Sequence, residues 1–127
     1  MGTVIEELPD TAARLQVDLT HHGSAVIIHA SGEVDAYTLP AWRQATLQAA
    51  AQVSSPGPVI ADLSGLDFIS WGGLRTLADQ AAARRRSGTP VVVVSQAAIV
   101  RRMVEVAELH DLLPVHPSVE AALRSVG

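Results

Sequence analysis

The sequence predicts a single α/β domain built on a mixed sheet, with elements in the order β-β-α-β-α-β-α-β-α. Three observations carry this. Residues 14–20 alternate, with Leu15, Val17 and Leu19 on one side and Arg14, Gln16, Asp18 and Thr20 on the other, the pattern of a strand with one wet face. Two short β-branched runs also read as strands: 59–63 (VIADL), bounded by breakers, fits a buried central strand, and 91–94 (VVVV) is apolar on both faces, as strands buried under helices are. Between these runs the apolar residues recur at helical spacing. A chain of 127 residues forms one ordinary domain. The reading divides it into a leader at 1–13 and the domain proper at 14–127.

Each element has its own signals. Residues 24–31 form a second strand, joined to the first by the tight connection His21-His22-Gly23, so the pair reads as a hairpin. Residues 32–37 read as a loop. Helix one runs from Thr38, its expected cap, to about Val53, with Pro40 in the first turn, where its missing N–H costs nothing. Leu39, Trp42, Ala45, Leu47, Ala49 and Ala50 form its expected inner stripe. The breaker cluster 54–58 (SSPGP) ends it. Ser64 to Gly73 reads as a loop into helix two, which carries Leu74, Leu77, Ala78 and Ala81 inward to about Arg86. Ser87 and Gly88 stop it, and Pro90 opens the four-valine strand, expected near the middle of the sheet. Ser95 is the expected cap of helix three, 97–107, with Val100, Met103, Val104 and Ala107 inward. Residues 112–116 form a last strand, placed at an edge by Pro114. Ser118 caps the final helix, where Glu120 in the first turn suits the helix dipole. The helices are expected mainly on one side of the sheet.

Composition narrows the function. The chain is 48% hydrophobic and 17% charged, without cysteine. Disorder is excluded by that balance, and thiolate nucleophiles, disulfides and Cys-based metal sites by the missing residue. All nine basic residues are Arg against thirteen acids, net -4, which disfavours nucleic-acid binding. Residues 1–64 hold seven acids and two Arg; residues 65–127 hold six acids and seven Arg. The acidic half is suited to a basic partner surface. No segment reaches 18 uninterrupted apolar residues, and the N-terminus resembles neither a signal peptide nor a myristoylation site. The expected location is the cytoplasm.

No phosphate-binding glycine motif, nucleophile elbow or metal-binding histidine pair occurs. His21, His22, His29, His110 and His116 read as structural or solvated, and no cofactor or metal is expected. Glu33 and Asp35 are two carboxylates in one loop, but no nucleophile or oxyanion donor accompanies them, so no catalytic residue is assigned. Arg84-Arg85-Arg86 reads as a solvated helix end matched to the dipole. The informative segment is Ser70-Trp71-Gly72-Gly73-Leu74 at the start of helix two. Ser70 suits an N-cap. Trp71 there is either a staple onto the core or an exposed interface anchor.

Several segments together resemble the STAS domain family, and within it the bacterial anti-sigma factor antagonists, over about residues 14–125. Gly32-Glu33-Val34-Asp35 looks like the family's G-E-[LVI]-D. Asp62-Leu63-Ser64-Gly65-Leu66-Asp67-Phe68-Ile69 looks like its D-L-S-x-[VL]-x-[FY]-[ILM]. Gly73-Leu74 matches the G-L of the second helix. Arg101, Arg102, Met103 and Leu109 fit the third-helix region, and Leu112-Leu113-Pro114-Val115 followed by Val119–Leu123 fits the ending. The resemblance implies a protein-binding module whose partner is an anti-sigma factor or serine-kinase-like ATPase, and whose binding is switched off by phosphorylation of a serine at the second helix.

The sequence departs from that switch. Where the family reads D-S-[ST]-G-L, this chain has Ser70 for the aspartate, Trp71 for the phosphoacceptor serine and Gly72 for the next hydroxyl residue. Three accounts follow: constitutive binding centred on Trp71; a scaffold or small-ligand sensor working with other STAS or sensor proteins; or a switch moved to Ser70. The expected partner-binding residues are Glu33, Asp35, Ser70, Trp71, Gly72, Gly73 and Arg75, with Arg75 placed to pair with Glu33 and Asp35 or with the partner. Ser64 lies nearby, with a structural loop role.

Overall fold

The computed structural model describes residues 6–7, 14–53 and 57–126, with the backbone alone for 6–7. The elements in chain order are β1 (Glu6–Glu7), β2 (Leu15–His22), β3 (Ala25–Val34), α1 (Leu39–Gln52), β4 (Val59–Ile69), α2 (Trp71–Arg84), β5 (Val91–Val94), α3 (Ala98–Val106), β6 (Val115–His116) and α4 (Val119–Val126), with a 3-10 turn at Arg85–Ser87. The described strands form one sheet in the order β1-β2-β3-β4-β5-β6. The first two pairings are antiparallel and the other three parallel. From the segment read as a leader, Glu6–Glu7 adds an edge strand opposite Asp18 and Leu19; the rest of that segment lies outside the described residues, as do 54–56 of the breaker cluster.

Alternation along the strands sorts the core into two layers. Leu15, Val17 and Leu19 of β2, Val26 and Ile28 of β3 and Ala61 and Leu63 of β4 face α1, α2 and α3. There they meet Trp42, Leu74, Leu77 and Val104, each no more than 1% exposed. The alternate residues Ile27, Ile60, Val92 and Val94 face α4 through Ala122. Three helices thus cover one face and α4 part of the other, as expected. The valine strand β5 is interior but not central; β3 and β4 hold the middle, and β5 lies next to the edge strand β6.

The two segments expected to be loops are largely strand. β3 continues through Gly32-Glu33-Val34, and β4 continues six residues past Leu63 to Ile69. Parallel pairing holds them together, from His29 opposite Asp62 to Val34 opposite Ile69, with two register shifts. Burial of Val34 and Ile69 rewards this pairing. Gly32 makes the bend possible. Its φ is +99°, and a Cβ there would lie 2.1 Å from the Arg14 carbonyl oxygen, so no other residue fits.

The helices depart from expectation in smaller ways. Thr38 occupies the N-cap position of α1 without a side-chain capping bond, because its hydroxyl serves the preceding turn. Leu47 is exposed, on the α1 side away from Trp42, Ala45 and Ala49. α3 starts at Ala98, with Ala97 at the N-cap; the Ser95 hydroxyl instead accepts from the Ala97 N–H at 3.1 Å. Ala107 lies exposed beyond the end of α3. The last strand is limited to Val115–His116, since 109–113 close into turns on the Leu109 carbonyl. Ser118 does accept from the Ala121 N–H at the start of α4.

Candidate functional site

The carboxyl ends of β3 and β4 bring the two family-like segments together. The Ser70 N–H donates to the Val34 carbonyl at 2.8 Å, which fixes the start of α2 against the end of β3. The Ser70 hydroxyl then accepts from the Gly73 N–H at 3.1 Å, so Ser70 is the N-cap of α2, as its residue type predicts. Gly73 is buried beneath. A Cβ there would lie 2.7 Å from Cγ1 of both Ile69 and Val34, so the helix end docks this closely only with glycine. The fully buried Trp42 closes the arrangement, its indole N–H donating to the Gly73 carbonyl at 3.0 Å.

With Trp42 filling the core, Trp71 faces outward. It is the first residue of α2 and is 54% exposed. The staple alternative is thereby excluded. Phe68, 51% exposed, and Ile99, 64% exposed, stand with it around a cavity of about 430 Å³, whose apolar wall includes Leu66, Ile69 and Val100. That volume is within the range of ligand and side-chain pockets.

Glu33 is in register with Phe68 on the neighbouring strand, and Asp35 follows directly after the end of β3. Asp35 Oδ1 accepts from the N–H groups of Tyr37 and Thr38, each at 3.0 Å. The Thr38 hydroxyl accepts from the Asp35 N–H and donates to the Glu33 carbonyl, both at 2.9 Å. Arg14 closes the turn from outside: its guanidinium bonds Glu33 Oε1 at 3.1 Å and Asp35 Oδ2, and lies 5.5 Å from the Tyr37 ring centre. Donation from the Thr38 backbone, with the Arg14 charge behind it, holds the Asp35 carboxyl below the ordinary aspartate range. The hydrogen bond that Arg14 donates to Glu33 raises the guanidinium above its ordinary value in turn.

Arg75 does not join these carboxylates. It sits on the exposed side of α2 and pairs with Asp79, four residues on, at 3.6 Å; Arg14 holds the position expected of it. Sequence reasoning missed Arg14, Tyr37 and Ile99. Arg14 read only as an outward residue of an alternating strand. Ile99 carried a signal, since it is a large apolar side chain off the inner stripe of Val100, Met103 and Val104. Of the histidines, His29 makes a cross-strand chain, 3.0 Å from Thr20 and 3.3 Å from Asp62. Among the described residues no group of three or more His, Asp or Glu side chains is placed to hold a metal, and no helix is long and apolar enough to cross a membrane.

Known proteins share both the sequence and the architecture. The STAS domain family model matches residues 16–122. Rv2638 of Mycobacterium tuberculosis, provisionally named an anti-anti-sigma factor, is 39% identical over 120 residues, 94% of this chain and 81% of that one. RsfA of the same species, named an anti-sigma-F factor antagonist, is 41% identical over 109 residues, 86% of this chain and 85% of that one. The crystal structure of an anti-sigma factor antagonist from Mycobacterium paratuberculosis superposes with a TM-score of 0.80 at 26% identity, covering 93% of this chain and 98% of that one. The residue pattern, the sheet order and these matches agree: the chain belongs to the STAS domain family and is of the anti-sigma factor antagonist type.

Proposed function

We propose that the chain is a non-enzymatic binding module that regulates transcription in the cytoplasm by engaging an anti-sigma factor or a serine-kinase-like ATPase regulator, with no cofactor. The contact face comprises Glu33, Asp35, Ser70, Trp71, Gly72 and Arg75; Gly73, expected among them, is buried beneath and holds the helix start in place. The observation that carries this is Trp71, a half-exposed indole on the first residue of α2 beside an apolar cavity. Large aromatic side chains at such positions dominate protein interfaces when a partner desolvates them. The pre-bonded Glu33–Thr38 turn next to it offers carboxylates at little ordering cost. Both matched relatives of Mycobacterium tuberculosis carry names of this class.

In this reading binding is constitutive. The residue in the place of the family's phosphoacceptor is Trp71, which has no hydroxyl. The neighbouring Ser70 hydroxyl is committed to the cap of α2.

The test is affinity capture of the tagged chain and its Trp71→Ala variant from cells of the source organism, with identification of the retained proteins by mass spectrometry. The wild type is expected to retain an anti-sigma factor that the variant loses. Retention of other STAS or sensor proteins alone, by both chains equally, would favour the scaffold role instead.

A further inference from the structure

The cavity beside Trp71 has the make-up of a small-molecule site. Its volume of about 430 Å³ lies in the range of pockets that enclose such ligands. It opens where the carboxyl end of β4 and the residues after β5 face the starts of α2 and α3. That is the end of the strands at which open α/β sheets hold their ligands. Leu63, Ile69, Val100 and Met103, each no more than 8% exposed, form its buried wall. Phe68, Trp71 and Ile99, each more than half exposed, stand around it toward solvent.

Two features define what such a cavity accepts. The first is charge. Among the described residues the one charged member of the wall is Asp67, which is exposed. With no basic side chain in the wall, a buried anion has no countercharge, and a cation meets one only at an exposed position; burying a charge unpaired is costly. The second is Ser95, which is 2% exposed and lines the cavity. Its oxygen accepts from the Ala97 N–H at 3.1 Å, and its proton meets no acceptor among the described residues. The other polar side chains differ. The Gln96 amide donates to the Pro117 carbonyl at 3.2 Å, the Ser70 hydroxyl caps α2, and Ser64 is exposed to water. A buried hydroxyl proton without an acceptor is an unspent donor. The positive end of the α3 dipole beside it likewise favours an electron-rich atom.

We propose that this cavity binds a compact, uncharged, mainly apolar molecule that carries an aromatic ring system and one hydrogen-bond acceptor, such as a carbonyl. The ring system is buried against Leu63, Ile69, Val100 and Met103. Phe68 and Trp71 beside it add aromatic contact to that burial. The acceptor takes the Ser95 proton, which completes the hydrogen bonding of the wall. This site is a property of the isolated chain and does not rest on the partner contact.

Titration of the isotope-labelled full chain, followed by amide NMR, tests this with three probes of one shape. Acetylnaphthalene is uncharged and carries an acceptor, naphthalene lacks the acceptor, and naphthoate, substituted at the same ring position, is an anion. Each is added toward about 1 mM, the weak end of specific affinity, or to its solubility. Acetylnaphthalene is expected to give saturating shifts at the amides of Ser95, Ile99 and Val100 and at the Trp71 indole. Naphthoate is expected to bind about tenfold more weakly, the effect of a charge buried without a partner. Ser95→Ala is expected to weaken acetylnaphthalene about fivefold, the worth of one neutral hydrogen bond, and to leave naphthalene unchanged. Phe68→Ala, at an exposed position, is expected to stay folded and to weaken both. Circular dichroism melts accompany both variants; if Ser95→Ala unfolds, the wild-type probe series and Phe68→Ala decide. Absence of saturating shifts, or shifts centred outside the cavity, would overturn the proposal. So would naphthoate binding as tightly as acetylnaphthalene, a Ser95→Ala variant that weakens naphthalene equally, or a Phe68→Ala variant that binds as wild type does. None of these outcomes depends on the anti-sigma factor reading, which the capture experiment addresses separately.

Discussion

At residue scale the site rests on a few atoms. Gly73 is the sharpest case. Gly73→Ala drives a methyl to within 2.7 Å of Val34 and Ile69, while Trp42 holds the carbonyl of the same residue from below. Overpacking of that kind costs about 1–3 kcal/mol, and urea unfolding of the variant is expected to show a loss of that size. Asp35 gives a pH signature. Its carboxyl is held below its ordinary value, first by the Thr38 backbone N–H and then by Arg14. A folded-state value below the unfolded one stabilises the protein fully above about pH 4, and that contribution fades as pH falls through the folded value. Asp35→Asn is therefore expected to unfold more readily than wild type at neutral pH, with the gap narrowing on acidification below pH ~4, the ordinary aspartate range. A gap that widened in acid would reverse the sign. These residue roles were partly legible. Ser70 was readable as a cap from its type and place. Arg14 was not, because its partners are 19 and 21 residues away and nothing local marks a long-range pair.

At element scale the helices and the hairpin were readable, since each has a period and a terminating residue. The carboxyl halves of β3 and β4 were not. Glycine, serine and aspartate in 64–67 carry a turn signal, yet parallel pairing outweighs it once Val34 and Ile69 are buried at the far end. Propensity yields to tertiary pairing in this way wherever a strand's neighbour is distant in sequence. Leu47 failed for a different reason: α1 is rich in alanine, so its inner stripe is ill-defined by size. The start of α2 also carries the prediction on modification. Ser70 caps the helix through Gly73, and the position expected of a phosphoacceptor holds Trp71. Incubated with a serine kinase of the anti-sigma class and ATP, the chain is expected to show no added phosphate by intact mass. A gain of one phosphate that Ser70→Ala abolishes would place the switch at Ser70.

At the scale of the whole molecule, the sequential sheet puts three crossover helices on one face. The segments 32–38 and 68–73, remote in sequence, meet at one end of neighbouring parallel strands. The fold class followed from periodicity together with the family resemblance, and the family from motifs in order. The surface did not, because exposure of Trp71 depends on Trp42 having taken the core beneath the same helix end. Sequence alone assigns neither indole to its side. The sheet's other face, with α4 on one part of it and His29 among polar neighbours on another, takes no part in the proposed contact.

The central claim is that Trp71 anchors a protein partner from outside the core. Calorimetric titration of the anti-sigma factor recovered by capture, against wild type and Trp71→Ala, addresses it most directly. The account predicts at least a tenfold weaker affinity for the variant, about 1.4 kcal/mol, with an unchanged melting temperature. Equal affinities, or a variant whose loss of binding follows from loss of folding, would contradict it.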